Sequence, residues 1–339
     1  MHAMQMARSC GQRVFRLGHQ LWREIRDNFQ SAVRMSAGGD RQVGTKTRSD
    51  RVKNLRELAF WLAAVFRVHS IVHLKRKHLV AYCHWLEDKK LSPATIATKL
   101  AHVSVLCRAL GKQQLMEERE KLFQNPNSLR RSLATNRDKS LEAAGVDFQT
   151  IYDQAHRLNP RVACQLALCW EFGLRVQEAW RFRPHLALRD GLVLVLWGAK
   201  GGRKRTLTAP LTAKQEALLE LAKTFAPTKA ESMVPRGQSL RSWKSVFYGV
   251  TKKIGLTRKQ SGATPHSLRH SYANREYERV TDRVSPVKGG TLAKDDPDAD
   301  RAARELVADE LGHSRASIAS AYIGSARHRP DEGGPSEIT

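Results

Sequence analysis

Apolar residues recur at three- and four-residue steps through most of the chain, a spacing that predicts helices. Val14, Leu17, Leu21, Ile25 and Phe29 trace one basic, amphipathic helix within residues 1–35. Such a helix either packs on the domain that follows or forms an arm that touches a partner, and the packed reading is preferred. Ser36 to Asp50 is polar, charged and Gly-containing, and reads as a linker. Leu55, Leu58, Ala59, Leu62, Val65 and Phe66 share a helical face. Leu79, Tyr82 and Leu86 line another between Ile71 and Glu87. At Leu91-Ser92-Pro93 a third begins, with Ser92 as cap and Pro93 in the first turn, and runs through Ile96, Leu100, Val103 and Leu106. Residues 51–135 therefore read as an all-helical domain of short helices. The basic, polar run Ser128 to Lys139 reads as the link to the next domain.

From Ser140 the pattern changes. Gln149–His156 and Pro160–Phe172 are helical, with Val162, Leu166, Ala167 and Trp170 inward. Gly191-Leu-Val-Leu-Val-Leu-Trp197 is strand-like, Gly201-Gly202 is a turn, and Arg205 to Pro210 is a second strand, which together predict a β-hairpin. Helices resume over Lys214–Phe225 and Leu240–Ile254, and another begins at Pro265. Val284 to Asp300, rich in Pro, Gly, Lys and Asp, reads as an exposed loop before a helix over Arg301–Leu311. Gly312 breaks that helix, Ser314 can cap the next, and Tyr322 is expected about two turns into it. The expectation is a mainly α chain with a small β-sheet: a basic helix and linker over 1–50, a helical domain over 51–135, a mixed α/β domain over 140–325 and a flexible tail over 326–339.

Charge narrows the partners. Lys+Arg number 58 against 33 Asp+Glu, a net charge of +25, which calls for a polyanion and by default nucleic acid. A membrane surface is the rival, but no apolar run approaches the ~20 residues of a spanning helix. The first 26 residues are too rich in Arg and Gln for a secretory signal, so a cytoplasmic protein without a membrane partner is expected. The 5 cysteines, at 10, 83, 107, 164 and 169, form no Cys-x-x-Cys pair and read as small apolar residues. The 13 histidines are scattered, and the chemistry is expected to need neither metal nor cofactor. Candidate DNA contacts are Lys75, Arg76, Lys77, Lys99, His102 and Arg108 on the helical domain, Arg130 and Arg131 in the link, and Arg203, Lys204 and Arg205 beside the hairpin turn.

Four short motifs carry candidate chemistry: Gly173-Leu174-Arg175-Val176-Gln177-Glu178, Lys200 within Ala199-Lys200-Gly201-Gly202, His266-Ser267-Leu268-Arg269-His270, and Leu311-Gly312-His313 with Tyr322 nine positions on. Taken singly, each has an ordinary explanation. Arg175 and Glu178, three apart, can pair on one helix face. Yet Arg175 and Arg269 both adjoin apolar residues, and a guanidinium at the edge of a core usually has an anionic partner.

In order and surroundings the four motifs resemble those of the tyrosine recombinase (phage integrase) family over about residues 140–325. The helical domain is similar in character to that family's core-binding domain. Residues 1–50 match nothing specific in it, and no strand pattern suggests the small sheet domain with which some integrases bind arm sites. The resemblance implies a helical core-binding domain and a mixed catalytic domain that form a C-shaped clamp on duplex DNA. It implies catalytic roles for Arg175, Lys200, His266, Arg269, His313 and Tyr322, with Glu178 supporting Arg175. Two arginines with forked donors and His313 suit the charge that builds on a phosphate attacked in line. Tyr322 would supply the nucleophile and His266 would take its proton. Lys200 would protonate the leaving 5′ oxygen, with Lys204 as local rival. The family also implies a homo-tetramer on paired sites, integration or excision of a mobile element, and accessory DNA-bending or excision proteins. Resolution of DNA dimers is the variant reading. The rivals are a type IB topoisomerase-like enzyme, which shares the chemistry, and a catalytically silent DNA-binding regulator on the same fold. One departure stands out: 44 positions separate Arg269 from His313, and the Val284–Asp300 segment holds the excess.

Overall fold

The computed structural model describes residues 2–36, 41–130, 132–198, 205–207, 210–313 and 315–325, with side chains from residue 11 onward. Arg131, Lys200, Arg203 and Lys204, the Gly201-Gly202 turn, the Ser314 cap and the 326–339 tail lie outside the described residues. The chain divides into two compact units, Met1–Arg131 and Ser132–Thr339.

The first unit is built from α1 (His2–Asn28), α2 (Gln30–Arg34), α3 (Thr45–Phe66), α4 (Arg76–Asp88) and α5 (Pro93–Ala109), followed by short 3-10 turns. Helix α1 lies along α3, and Leu21 and Ile25 are fully buried in one core with Leu55, Leu58, Leu62, Leu79, Tyr82 and Leu106. Two boundaries therefore move. The first helix belongs to the core of this unit, and residues 45–50, expected in a linker, form the first turns of α3. Those turns are polar because nothing apolar faces them, and Lys46 pairs with Asp50 one turn on at 2.6 Å. At the start of α5, Ser92 accepts from the Thr95 N–H at 3.3 Å, with Pro93 in the first turn.

The basic residues of this unit fall into two groups. Lys75, Lys77, Arg108 and Arg130 are exposed, and half-buried Arg76 donates to the Glu117 carbonyl at 3.0 Å. His102 and Lys99 correct the expectation of an outward basic face on α5. His102 is buried and accepts from Asn54 Nδ2 at 2.8 Å, and burial lowers its pKa. Lys99 is held by Glu57 at 2.6 Å. Positions 99 and 102 share a helix face with Val103 and Leu106, so both are turned toward α3.

The second unit contains α6 (Phe148–Leu158), α7 (Pro160–Glu171), α8 (Val176–Arg181), α9 (Pro184–Ala187), β1 (Leu188–Arg189), β2 (Leu192–Val195), β3 (Arg205–Leu207), α10 (Ala213–Phe225), α11 (Leu240–Lys253), α12 (Ser267–Thr281), α13 (Leu292–Asp295), α14 (Pro297–Glu310) and α15 (Ser320–Ile323). The core centres on α7, buried from Val162 to Cys169 and capped by Asn159. The strands form one antiparallel sheet in the order β1-β2-β3, with Val193 opposite Leu207 and Val195 opposite Arg205. Strand β1 is an addition to the expected hairpin. Alternation buries Val193, Val195, Leu207 and also Arg205. Arg205, expected to contact DNA, is an interior residue.

Two further expectations are corrected near the C-terminus. The Val284–Asp300 segment is folded, not an exposed loop. Ser285, Pro286, Val287 and Leu292 are buried, Pro286 opens a 3-10 turn, Pro297 opens α14, and Gly289 takes φ +97°. Proline and glycine, which mark loops, also mark helix starts and stops. Tyr322 is not two turns into a continuous helix. A 3-10 turn, Ala316–Ile318, precedes the four-residue α15, and the break lets Ala319, Tyr322 and Ile323 all enter one small core with Tyr272, Val307 and Leu311.

Candidate active site

The site begins at Gly173, where α7 ends. Its φ is +56°, and a Cβ there would lie 2.4 Å from the Tyr272 ring, so the turn admits only glycine without displacement. The turn aims the Gly173 carbonyl at two guanidinium groups and delivers Arg175 to the N-cap of α8. One turn into α8, Glu178 returns to Arg175: Oε2 accepts the Arg175 backbone N–H at 2.7 Å and Oε1 accepts Nη1 at 2.6 Å. Glu178 is fully buried. Burial opposes its ionisation, but the guanidinium groups of Arg205, Arg269 and Arg175 outweigh that, and its pKa is lowered.

Arg269, in the first turn of α12, is fully buried yet fully employed. Nη1 donates to the Gly173 carbonyl, Nη2 donates to the Leu311 carbonyl at 2.5 Å, and Nε donates to the Tyr322 hydroxyl at 3.1 Å. Burial, with repulsion from Arg205 and Arg175, brings its pKa down to about 10.

His313 follows Gly312, whose φ of +66° ends α14. Its Nε2 lies 3.2 Å from Arg175 Nη2, 3.5 Å from Arg269 Nη2 and 3.5 Å from Tyr322 Oη. Guanidinium nitrogens only donate, so Nε2 carries the lone pair and the ring proton sits on Nδ1. Burial first, then Arg269, Arg175 and Arg205, push its pKa down to about 4. The imidazole is neutral near pH 7 and can accept a proton.

Tyr322 is 6% exposed. Its hydroxyl oxygen accepts from Arg269, and His313 Nε2 lies 3.5 Å away as an acceptor for its proton. Three imidazoles surround the ring, with centroid distances of 4.9 Å for His270, 5.8 Å for His313 and 5.9 Å for His266. Both ends of helix α15 are tethered by hydrogen bonds. The Thr135 N–H donates to the Ser320 carbonyl at 2.9 Å, and Arg304 donates to the Ser320 hydroxyl at 3.1 Å and the Gly324 carbonyl at 2.9 Å.

The structure thus brings Arg175, Glu178, Arg269, His313 and Tyr322 into one connected cluster, with His266 at its exposed edge. Desolvation by its neighbours, then Arg269, Arg175 and Lys139, bring the His266 pKa down to about 4. Of His266 and His313, it is His313 that reaches the phenol oxygen. Two members were missed. His270, buried and hydrogen-bonded to the Tyr322 backbone, has its pKa brought down to about 3 by burial and by His266. It stands next to Arg269 in the motif, which was the available signal. Arg205 reaches Glu178 Oε2 at 3.1 Å.

Two arginines, a neutral imidazole and a phenol converge on one point, a set of donors and acceptors that suits a phosphate group. Residues 132–275 match the integrase family and residues 31–116 the N-terminal domain of phage integrases. The chain belongs to the tyrosine recombinase (phage integrase) family. It is 24% identical over 254 residues to the tyrosine recombinase XerC of Natranaerobius thermophilus, which covers 69% of this chain and 80% of the relative. It is 27% identical over 226 residues to the tyrosine recombinase XerD of Caulobacter vibrioides, over 60% of this chain and 69% of the relative. In fold it is similar to lambda integrase residues 75–356 in a dimer on a core site, with a TM-score of 0.54, 17% identity and coverage of 94% of this chain and 98% of that one. It is also similar to lambda integrase in a tetramer on a Holliday junction, with a TM-score of 0.53, 15% identity and coverage of 92% and 78%. No helix among the described residues is long and apolar enough to cross a membrane.

Proposed function

We propose that the chain is a site-specific recombinase that cuts and rejoins duplex DNA through Tyr322, and that it integrates or excises a mobile element. The observation that carries this reading is the Tyr322 hydroxyl, 3.1 Å from Arg269 Nε and 3.5 Å from the unprotonated nitrogen of His313. The Tyr322 oxygen attacks the scissile phosphorus, a P–Oη bond forms, and the bond to the 5′ oxygen breaks. The product is a 3′-phosphotyrosyl ester and a 5′-hydroxyl. The phenol proton passes to His313, the acceptor best placed for it, with His266 second. Arg175 and Arg269 bind the non-bridging oxygens and stabilise the charge that builds on them. Lys200 is the proposed donor to the leaving oxygen. Attack of a partner strand's 5′-hydroxyl on the ester reverses the step and frees Tyr322, so no cofactor is consumed. Tyr322 is buried, and α15 must shift for a phosphate to reach it.

The net charge of +25 suits duplex DNA, and exposed Lys75, Lys77, Arg108 and Arg130 are the proposed phosphate contacts on the first unit. The lambda integrase tetramer on a Holliday junction supports four copies acting on two paired sites. DNA-bending or excision proteins are the proposed accessory partners. The place of action would be the cytoplasm.

The test is a suicide duplex bearing the cognate site, from which the short fragment carrying the new 5′-hydroxyl is lost on cutting. A covalent protein–DNA adduct is expected from the wild type and none from Tyr322→Phe. An adduct that persists in Tyr322→Phe would refute the nucleophile. No adduct from the wild type would favour a silent regulator, and relaxation of supercoiled DNA without a site would favour a topoisomerase.

A further inference from the structure

Arg205 sits where three separate parts of the site meet. Its Nη2 donates to Glu178 Oε2 at 3.1 Å and to the Gly173 carbonyl at 3.4 Å. Arg269 Nη1 donates to that same carbonyl and lies 3.7 Å from that same carboxylate oxygen. Two buried cations therefore share two acceptors, while Arg175 holds the other Glu178 oxygen. The stem of Arg205 also reaches the turn that carries His313: a Cβ on Gly312 would fall 2.6 Å from Arg205 Cδ. The residue is 6% exposed, and among the described residues its Nε and Nη1 have no hydrogen-bond partner. A buried arginine left part-satisfied costs stability, so its presence here asks for a role that packing does not explain.

We propose that Arg205 is a positioning residue of the strand-transfer reaction: through Glu178, Gly173 and Gly312 it sets the relative placement of Arg175, Arg269 and His313. This inference rests on the recombinase reading above. Arg205 does not touch the DNA. It shares Glu178 Oε2 and the Gly173 carbonyl with Arg269, which ties both guanidinium groups to the same two acceptors, and its stem packs against the turn that carries His313. The planar guanidinium carries Nη2 to both acceptors while the stem packs on Gly312. A lysine supplies the charge but not this planar geometry. The nearby positive charge of Arg205 also disfavours protonation of His313.

The test compares Arg205→Gln and Arg205→Lys with the wild type in the full-length protein. The probes are a suicide duplex for single-turnover adduct formation and a labelled intact duplex for binding. For Arg205→Gln, the adduct rate is expected to fall about 100-fold while duplex affinity stays within about twofold. The acid side of its rate–pH profile should move to higher pH, since His313 loses a repelling charge. For Arg205→Lys, the rate is expected to fall about tenfold with the acid side little moved. Wild-type rate and profile in Arg205→Gln would overturn the proposal, as would a loss of affinity that accounts for the whole loss of rate. If thermal melting shows Arg205→Gln unfolded, Arg205→Lys decides: a wild-type adduct rate there overturns the proposal and a reduced rate at unchanged affinity upholds it. Absence of adduct from the wild type would instead sink the recombinase reading itself.

Discussion

Arg269 Nε donates to the hydroxyl of Tyr322 across 3.1 Å, although 53 positions separate the two in sequence. The same guanidinium also ties the Gly173 and Leu311 carbonyls, the turn before Arg175 and the end of α14. One side chain therefore supports the phenol and joins the two backbone turns from which the rest of the site projects. A lysine offers a single nitrogen and cannot span three acceptors. Arg269→Lys is expected to lower single-turnover DNA cleavage by about 10²–10³-fold, and to lower the melting temperature as well. Wild-type cleavage by that variant would show that the three bonds are dispensable.

Glu178 is the single carboxylate within reach of Arg175, Arg205 and Arg269 among the described residues. Glu178→Gln keeps the shape and removes the counter-charge from three guanidinium groups. Loss of one partner of a buried ion pair costs about 3–5 kcal/mol. Urea unfolding should show a loss of that order, and an unchanged midpoint would argue against charge as the reason for the carboxylate.

Histidines 266, 270 and 313 have pKa values of about 4, 3 and 4 in the folded chain, below the ordinary 6.5 of an exposed imidazole. The unfolded chain therefore binds more protons than the folded one between those values. Their contribution to stability is intact above about pH 6.5 and is lost as the pH falls through 4. The DNA-free protein should melt at a lower temperature at pH 5 than at pH 7.5. His270→Asn should show a smaller difference between the two, and an equal or larger one would remove His270 from this account.

Lys75 and Lys77 are exposed on the first unit, whereas Lys99 is spent on Glu57. If the exposed lysines meet phosphates, Lys75→Gln with Lys77→Gln should weaken duplex binding and flatten the log–log salt dependence by about two units. Lys99→Gln should leave that slope alone and lower thermal stability. A slope unchanged in the double variant would remove these two lysines from the interface.

Arg175, Arg269, His313 and Tyr322 were legible in the sequence because each sits in a short motif whose order is informative, and the helices were legible because their apolar period is strong. Arg205 was not. It lies at the end of the run Arg203-Lys204-Arg205, where composition suggests an outward cationic turn, and only strand parity opposite Val195 turns it inward. His102 and Lys99 were misplaced for a related reason: polar letters on a helix do not show that their face is covered when a neighbouring helix supplies Asn54 and Glu57 as partners. The 284–300 segment reads as a loop in the sequence because proline and glycine start and stop helices as readily as they interrupt them. Helix α15 is too short for any periodicity to announce it.

The long interval between Arg269 and His313 bears on how this chain can be shortened. Val287 lies so near Gly324 that a Cβ on the glycine would come within 2.8 Å of its backbone nitrogen, and Asp300 aligns the Arg304 that grips both ends of α15. The segment is thus a buttress behind the helix that carries Tyr322, not spare rope. A chimera trimmed there to the dimensions of a more compact homologue would keep every reactive group and lose the wall against which the tyrosine is braced.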